Sequence, residues 1–276
     1  MRYFKLKKRI QLVMENAHPF RLILSYFLRK SGLSSLIVFD RVYYKLRFHP
    51  TALMMHMFAD KKAREEEVLY LISLLTPNSN VIDVGANVGT ISIPLAKFVR
   101  FGKVFSIEAH PRIYNYLKKN VELNNLTNVE LFNLAIGDKK GHVFFSDISS
   151  DDMNRVIKDK SGIDVETRRL DEIIPKHLLI RLLKIDTEGY ELFVLKGCKN
   201  ILENVEIIYF ESFEEHFNSF GYSTKDILGF LKENNFIVFR ITGEGFETVS
   251  DGYISNSCEN LIAANQNFNL KKVLWD

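Results

Sequence analysis

Two clusters of residues in the sequence have types and spacings suited to chemistry. The first is Asp83-Val84-Gly85-Ala86-Asn87-Val88-Gly89, followed 19 residues later by Glu108. A glycine at position 85 allows a tight turn and close approach of a ligand to the backbone. A glycine at position 89 lets a following helix start pack closely, and the unpaired N–H groups of that helix start favour an anionic ligand group. An acid about 20 residues on, at the end of the next strand, is placed to accept hydrogen bonds from ribose hydroxyls. The second cluster is Lys184-Ile185-Asp186-Thr187-Glu188-Gly189-Tyr190-Glu191, with Glu211, Ser212, Glu214, Glu215 and His216 further on. Asp186, Glu188 and Glu211 bring three carboxylates together. Such a group, or His216, takes a proton from a hydroxyl; alternatively the carboxylates hold a divalent cation that acidifies a diol. No ligand set is assigned to a resident metal. Glu188 and Glu191 have a simpler reading as helix N-terminal acids favoured by the dipole. Lys184 pairs with one of these acids or faces solvent.

These side chains need a frame, and the pattern around them supplies one. Residues 61–75 place charge first and then apolar residues at helical spacing, and Thr76-Pro77-Asn78 stops that helix. Asn80 to Val84, Val104 to Ile107 and Val129 to Leu134 are short apolar strands. They alternate with helices over Ile91 to Arg100 and Pro111 to Asn124, the latter with proline in its first turn. Residues 139–169 break the alternation with two antiparallel strands, His142 to Ser146 and Ile163 to Arg168. It resumes with strands at Leu182 to Ile185, Val205 to Phe210 and Phe236 to Ile241, helices at Leu192 to Leu202 and Thr224 to Asn234, and a last strand at Asn260 to Ala264. This is the pattern of an α/β fold with a mostly parallel sheet covered by helices on both faces. Ligands then bind beyond the carboxyl ends of the strands, where both chemical clusters lie.

The glycine turn lacks the third glycine of G-x-G-x-x-G dinucleotide binders. The spacing D-x-G-x-N-x-G, joined to Glu108, resembles instead the first motif of S-adenosylmethionine-dependent methyltransferases. Taken with F-S-I-E-A-H-P, L-A-I-G-D, T-R-R-L-D-E-I, L-L-K-I-D-T-E-G-Y-E and I-I-Y-F-E, the chain resembles the FkbM family of these enzymes over roughly residues 61–241. The resemblance implies a Rossmann-like class I methyltransferase fold, with a seven-stranded, mostly parallel sheet and an antiparallel last strand. It implies S-adenosylmethionine as cofactor, bound by Asp83, Gly85, Asn87, Gly89 and Glu108, with backbone at Ala135 and Asp138 nearby for the adenine. It also implies O-methylation of a carbohydrate, glycan or small metabolite. Asp186, Glu188 and Glu211 are family-motif positions, and their catalytic role, with that of His216, is inferred from the chemistry above. The sequence has Glu108-Ala109-His110-Pro111 where the family has Glu-Pro, and Asn133 where an acid is common. The absence of an N-P-P-[YFW] motif after the fourth strand and of a Pro-Cys nucleophile favours oxygen as acceptor atom. The alternatives are an RNA methyltransferase and a non-catalytic, membrane-associated binding domain of the same fold.

The formal charge of +3 divides unevenly. Residues 1–50 hold eleven Lys/Arg and two acids, whereas the remaining 226 hold 26 basic and 32 acidic side chains. The body is therefore no basic nucleic-acid binder, and nucleic acid is not expected as a partner. The chain is read as a basic N-terminal helical appendage, residues 1–60, on a methyltransferase domain, residues 61–276. The appendage packs as one or two helices on the domain, lies on an anionic membrane surface, or docks a partner. It begins like a signal peptide at Arg2 to Arg9, but Glu15, Asn16, His18 and Arg21 interrupt the apolar run. No stretch reaches the ~20 apolar residues that span a bilayer. Two cysteines, Cys198 and Cys258, build neither a disulfide framework nor a cysteine zinc site. The expected setting is cytoplasmic, peripheral at most to a membrane.

Overall fold

The computed structural model describes residues 19–31, 34–147, 154–243 and 245–268. The signal-like stretch and part of the polar loop after residue 147 lie outside these residues. The chain runs through α1 (Pro19–Ser31), β1 (Val38–Asp40), β2 (Lys45–Arg47), α2 (Ala52–Ala59), α3 (Glu65–Ser73), β3 (Val81–Val84), α4 (Ser92–Phe98), β4 (Val104–Ile107), α5 (Pro111–Leu123) and β5 (Val129–Phe132). Four short strands follow: β6 (Ala135–Ile136), β7 (Gly141–Phe145), β8 (Val156–Ile157) and β9 (Ile163–Arg168). Then come α6 (Leu170–Ile173), β10 (Ile180–Ile185), α7 (Glu191–Gly197), β11 (Val205–Ser212), α8 (Glu214–Phe220), α9 (Thr224–Glu233), β12 (Phe236–Thr242), β13 (Gly245–Thr248) and β14 (Glu259–Asn265).

The main sheet has the order β13-β12-β14-β11-β10-β3-β4-β5. Strands β5, β4, β3, β10 and β11 are parallel, and β14 runs antiparallel between β11 and β12. This is the class I methyltransferase sheet, with one more strand than the sequence indicated. The eighth, β13, is the return arm of a hairpin with β12 at the sheet edge. Central strands β3 and β4 are buried at every position, as expected where helices cover both faces. On one side, β10 and β11 pack with α7, α8 and α9. On the other, α3 and α4 pack against β3, β4, β11 and β14.

Local sequence accounts for the helix ends. Glu65, Glu66 and Glu67 fill the first turn of α3, where the dipole favours acids. Pro111 opens α5, and the His110 ring accepts a hydrogen bond from the Arg112 N–H. At α9, Ser223 and Asp226 form a capping box.

The region 139–169 does contain the expected antiparallel pair, β7 with β9. It is larger than two strands: β6 and β8 complete a second sheet, ordered β6-β9-β7-β8. The third strand of the main sheet ends at Phe132, two residues short of the sequence expectation, because the chain leaves it to enter this second sheet at Ala135. Asn133 fixes the exit by donating from Nδ2 to the carbonyls of Glu108 (2.9 Å) and Ala109 (3.1 Å).

The N-terminal region departs from an all-helical appendage, since β1 and β2 form a hairpin between α1 and α2. It also shares a core with the domain. Leu46, Phe48, Leu53 and Met54 pack in one cluster with Ala86, Val88, Ile93 and Leu117. The exposed edge of β2 is satisfied by side chains of α5: Asn120 Oδ1 accepts from Arg47 N (2.9 Å), and Asn124 exchanges hydrogen bonds with the backbone of Lys45. Without such partners these edge groups would rely on water alone.

Candidate active site

The chain enters the sheet at β3, builds outward through β4 and β5, then returns to β10 on the other flank. A crevice opens at the carboxyl ends where the direction reverses. It is lined by Gly85, Ala86 and Asn87 after β3, Glu108 after β4, Leu134 to Ile136, Phe145 and Val156 from the second sheet, Asp186 to Glu188 after β10, and Glu211 on β11.

The loop after β3 is shaped by backbone that only glycine and asparagine adopt readily. Gly85 has φ +82°, and an added Cβ would meet the Asp186 carbonyl oxygen at 1.9 Å. Asn87 has φ +49°, and its side chain accepts from Val88 N. The loop thereby turns the Asn87 N–H onto Glu108 Oε2 (2.9 Å), while Glu108 Oε1 accepts from His110 N (2.8 Å). Each Glu108 oxygen retains a lone pair for a ribose hydroxyl. Burial pushes the Glu108 carboxyl up to about 7, against the pull of the two backbone N–H groups; Asp83 raises it further and Lys184 lowers it.

That value has a consequence for ligand binding. A proton and the ribose hydroxyls compete for the same carboxylate, so acid weakens binding and alkali restores it. S-Adenosylhomocysteine affinity is expected to fall by up to about tenfold per pH unit below pH 7. Calorimetry from pH 5.5 to 8.5 checks this, and Glu108→Gln should flatten the profile.

Two of the expected cofactor residues stand behind the crevice. Asp83 is fully buried; its carboxylate accepts from Lys184 Nζ at 3.0 Å and from the Ser92 hydroxyl at 2.5 Å. The pairing follows from register, since Asp83 and Lys184 are direct neighbours on β3 and β10. Asp83 therefore braces the strands under the loop, without a place on the crevice wall. Gly89 acts in packing: a Cβ there would meet Leu117 Cδ1 at 2.8 Å and Ile93 Cδ1 at 2.9 Å. Gly85, Asn87, Glu108 and Ala135 line the crevice.

The carboxylates gather at its other end. Lys184 bridges Asp83 and Asp186, whose Oδ2 lies 3.6 Å from its Nζ. Burial pulls the Lys184 ammonium down, but the two carboxylates outweigh it and hold it above its ordinary range. Burial raises Glu211, with the Asp186 charge adding to it. The thiol of Cys258, pushed up to about 12 by partial burial and by Glu211, donates to Glu211 Oε1 at 3.0 Å. His216 lies just outside the crevice wall on α8. Its Nδ1 is 3.6 Å from Glu188 Oε2 and 3.7 Å from Glu211 Oε2. Burial lowers its proton affinity, with Arg155 adding to the effect.

Glu188 itself has φ +55°, a left-handed conformation that costs a non-glycine residue about 1 kcal/mol or more. Glu191, read from sequence as a helix N-terminal acid, also explains how this strain is held. It is fully buried, and its Oε1 accepts from Thr187 N (2.8 Å), Thr187 Oγ1 (2.9 Å) and Gly189 N (3.3 Å). The sequence reading overlooked Arg64, which lines the crevice and is drawn toward Glu67, Asp186 and Asp83 against the cost of burial. It sits in a charged run before a helix, where nothing in the pattern separates it from a solvated residue. Leu53 and Tyr190 also line the crevice and were not singled out.

The chain is similar in sequence to several methyltransferases. The chain is 27% identical over 164 residues to methyltransferase sdnD of Sordaria araneosa, covering 46% of this chain and 63% of that protein. It is 26% identical over 174 residues to hexuronic acid methyltransferase AglP of Haloferax volcanii, covering 61% and 68%. A 73-residue stretch is 37% identical to a tRNA(Phe) aminocarboxypropyltransferase of Methanocaldococcus jannaschii, covering 26% and 28%. The chain thus spans less than two thirds of the first and third of these relatives. Among solved structures, methyltransferase FkbM of Methylobacillus flagellatus superposes with a TM-score of 0.44 at 15% identity, over 69% of this chain and 44% of that one. Residues 83–238, more than half of the chain, match the methyltransferase FkbM domain. The chain belongs to the FkbM family of S-adenosylmethionine-dependent methyltransferases.

Proposed function

We propose that the protein transfers a methyl group to a hydroxyl of a carbohydrate, glycan or small metabolite. The observation that carries this reading is the placement of Asp186, Glu188 and Glu211 along one end of the crevice whose other end is built by Gly85, Asn87 and Glu108. S-Adenosylmethionine supplies a sulfonium-activated methyl group. Glu108 and the backbone at Asn87 hold the ribose, and Leu134, Ile136, Phe145 and Val156 give the adenine an apolar slot. Asp186, whose carbonyl lies against Gly85, would take the proton of the acceptor hydroxyl as its oxygen gained the methyl group and the S–CH3 bond broke, releasing S-adenosylhomocysteine. Glu188 and Glu211 hold further polar groups of the acceptor. The similarity to a hexuronic acid methyltransferase supports a sugar acceptor. Incubation with methyl-labelled S-adenosylmethionine and free or lipid-linked sugars, with bulk RNA in parallel, tests the reading. Label on sugar is expected; label on RNA alone would replace it with the nucleic-acid reading.

A second reading concerns where the enzyme works. Phe20, Ile23, Leu24 and Phe27 are exposed on α1, with Arg29 and Lys30 in its last turn. These positions share one face. No described helix is long and apolar enough to cross a membrane, so we propose that this face lies on an anionic bilayer surface. Flotation with anionic vesicles should be weakened by Phe20→Ser/Phe27→Ser, which alters exposed positions only. Equal flotation of the double variant and wild type would contradict the proposal.

A further inference from the structure

We propose that Glu188, Glu211 and His216 form a binding site for one divalent cation of the Mn2+ or Mg2+ class. The sequence allowed a divalent cation on the carboxylates without assigning a ligand set; the structure groups Glu188 and Glu211 with the His216 imidazole. Each residue comes from a different element: Glu188 from the loop after β10, Glu211 from near the end of β11, and His216 from α8. One donor atom from each lies within 4.8 Å of the others. With metal–ligand distances of about 2.1 Å, adjacent vertices of an octahedron lie about 3 Å apart and opposite vertices about 4.2 Å apart. A contraction of about 0.6 Å, within side-chain reach, would seat an ion.

Independent features of the cluster point to a ligand. His216 Nδ1 is buried and has no hydrogen-bond partner among the described residues. It faces both carboxylates, yet at 3.6 and 3.7 Å neither is close enough to share a proton with it. A buried nitrogen left in this state is costly, and a pair of carboxylates beside it adds repulsion. An ion between the three donors removes both penalties. The Glu211 carboxylate is also oriented for this role. Its Oε1 is occupied by the Cys258 thiol, and its Oε2 is the oxygen nearest His216.

The donor set also indicates which ion. Two carboxylates with one imidazole form a mainly hard site, and three protein ligands leave octahedral positions open. Because Glu188 and Glu211 line the crevice, the open positions face the acceptor end. A vicinal diol or a uronate would complete the coordination there, which would lower the pKa of the hydroxyl to be methylated. This role rests on the methyl-transfer reading; the binding site itself does not.

The test uses the full chain, stripped of metal with chelator, and Mn2+ alone as the probe, followed by the paramagnetic resonance signal of free Mn2+. Wild type should bind one Mn2+ saturably, and Mg2+ should displace it. His216→Ala and Glu211→Gln should each weaken binding about tenfold or more. S-Adenosylhomocysteine calorimetry on the same variants, with affinity as in wild type, shows that the fold and cofactor crevice persist. Absence of saturable Mn2+ binding in wild type, or Mn2+ affinity in His216→Ala equal to wild type, would overturn the proposal. Failure of the methyl-transfer reading would appear separately, as Mn2+ binding without binding of S-adenosylhomocysteine.

Discussion

Asp186→Asn is expected to lower kcat by about 10²- to 10⁴-fold, the usual range for loss of a positioned proton acceptor. The substitution keeps the shape of the side chain and removes its ability to take a proton. Lys184 retains its 3.0 Å partner Asp83, so the charge balance under the loop survives. Affinity for S-adenosylhomocysteine should therefore stay near the wild-type value, because Glu108 and the loop after β3 are untouched. Single-turnover kinetics with labelled methyl donor, set beside calorimetry, separates the two quantities. Unchanged turnover would remove Asp186 from the chemistry.

The second large effect is on stability. Lys184→Met is expected to destabilise the fold by about 3–5 kcal/mol, measured by urea unfolding. Lys184 and Asp83 are respectively 2% and 0% exposed as side chains, and removing the ammonium leaves a buried carboxylate with a hydrogen bond from the Ser92 hydroxyl and the more distant charge of Arg64. The double variant Asp83→Asn/Lys184→Met should recover part of the loss, since no buried charge then lacks a counter-ion. A single-variant loss below about 1 kcal/mol would mean that the pair is no brace.

These two residues also show how far the sequence could be read. The central strands were legible because parallel strands covered on both faces are apolar at nearly every position, as in Val81-Ile82-Asp83-Val84. Gly85 and Glu108 were legible because a tight turn and a strand-end acid leave a fixed spacing. Asp83 was assigned to the cofactor on the same motif, but strand register turns it toward Lys184, and register with a strand 101 positions away leaves no local trace. Lys184 was left between an ion pair and solvent for the same reason. The β1–β2 hairpin escaped notice because three-residue strands are too short to show alternation. His216 was singled out for chemistry, yet its place between Glu188 and Glu211 depends on how α8 packs beside β11.

We propose that the crevice between β3, β4 and β10 binds S-adenosylmethionine through Glu108. The most direct test is calorimetry of the wild-type chain and of Glu108→Ala with S-adenosylhomocysteine at pH 8, above the value of about 7 at which Glu108 titrates. One saturable site is expected in wild type and a loss of affinity of about tenfold or more in the variant, as follows from removing a charged hydrogen-bonding partner. No binding by wild type, or equal binding by both proteins, would contradict it.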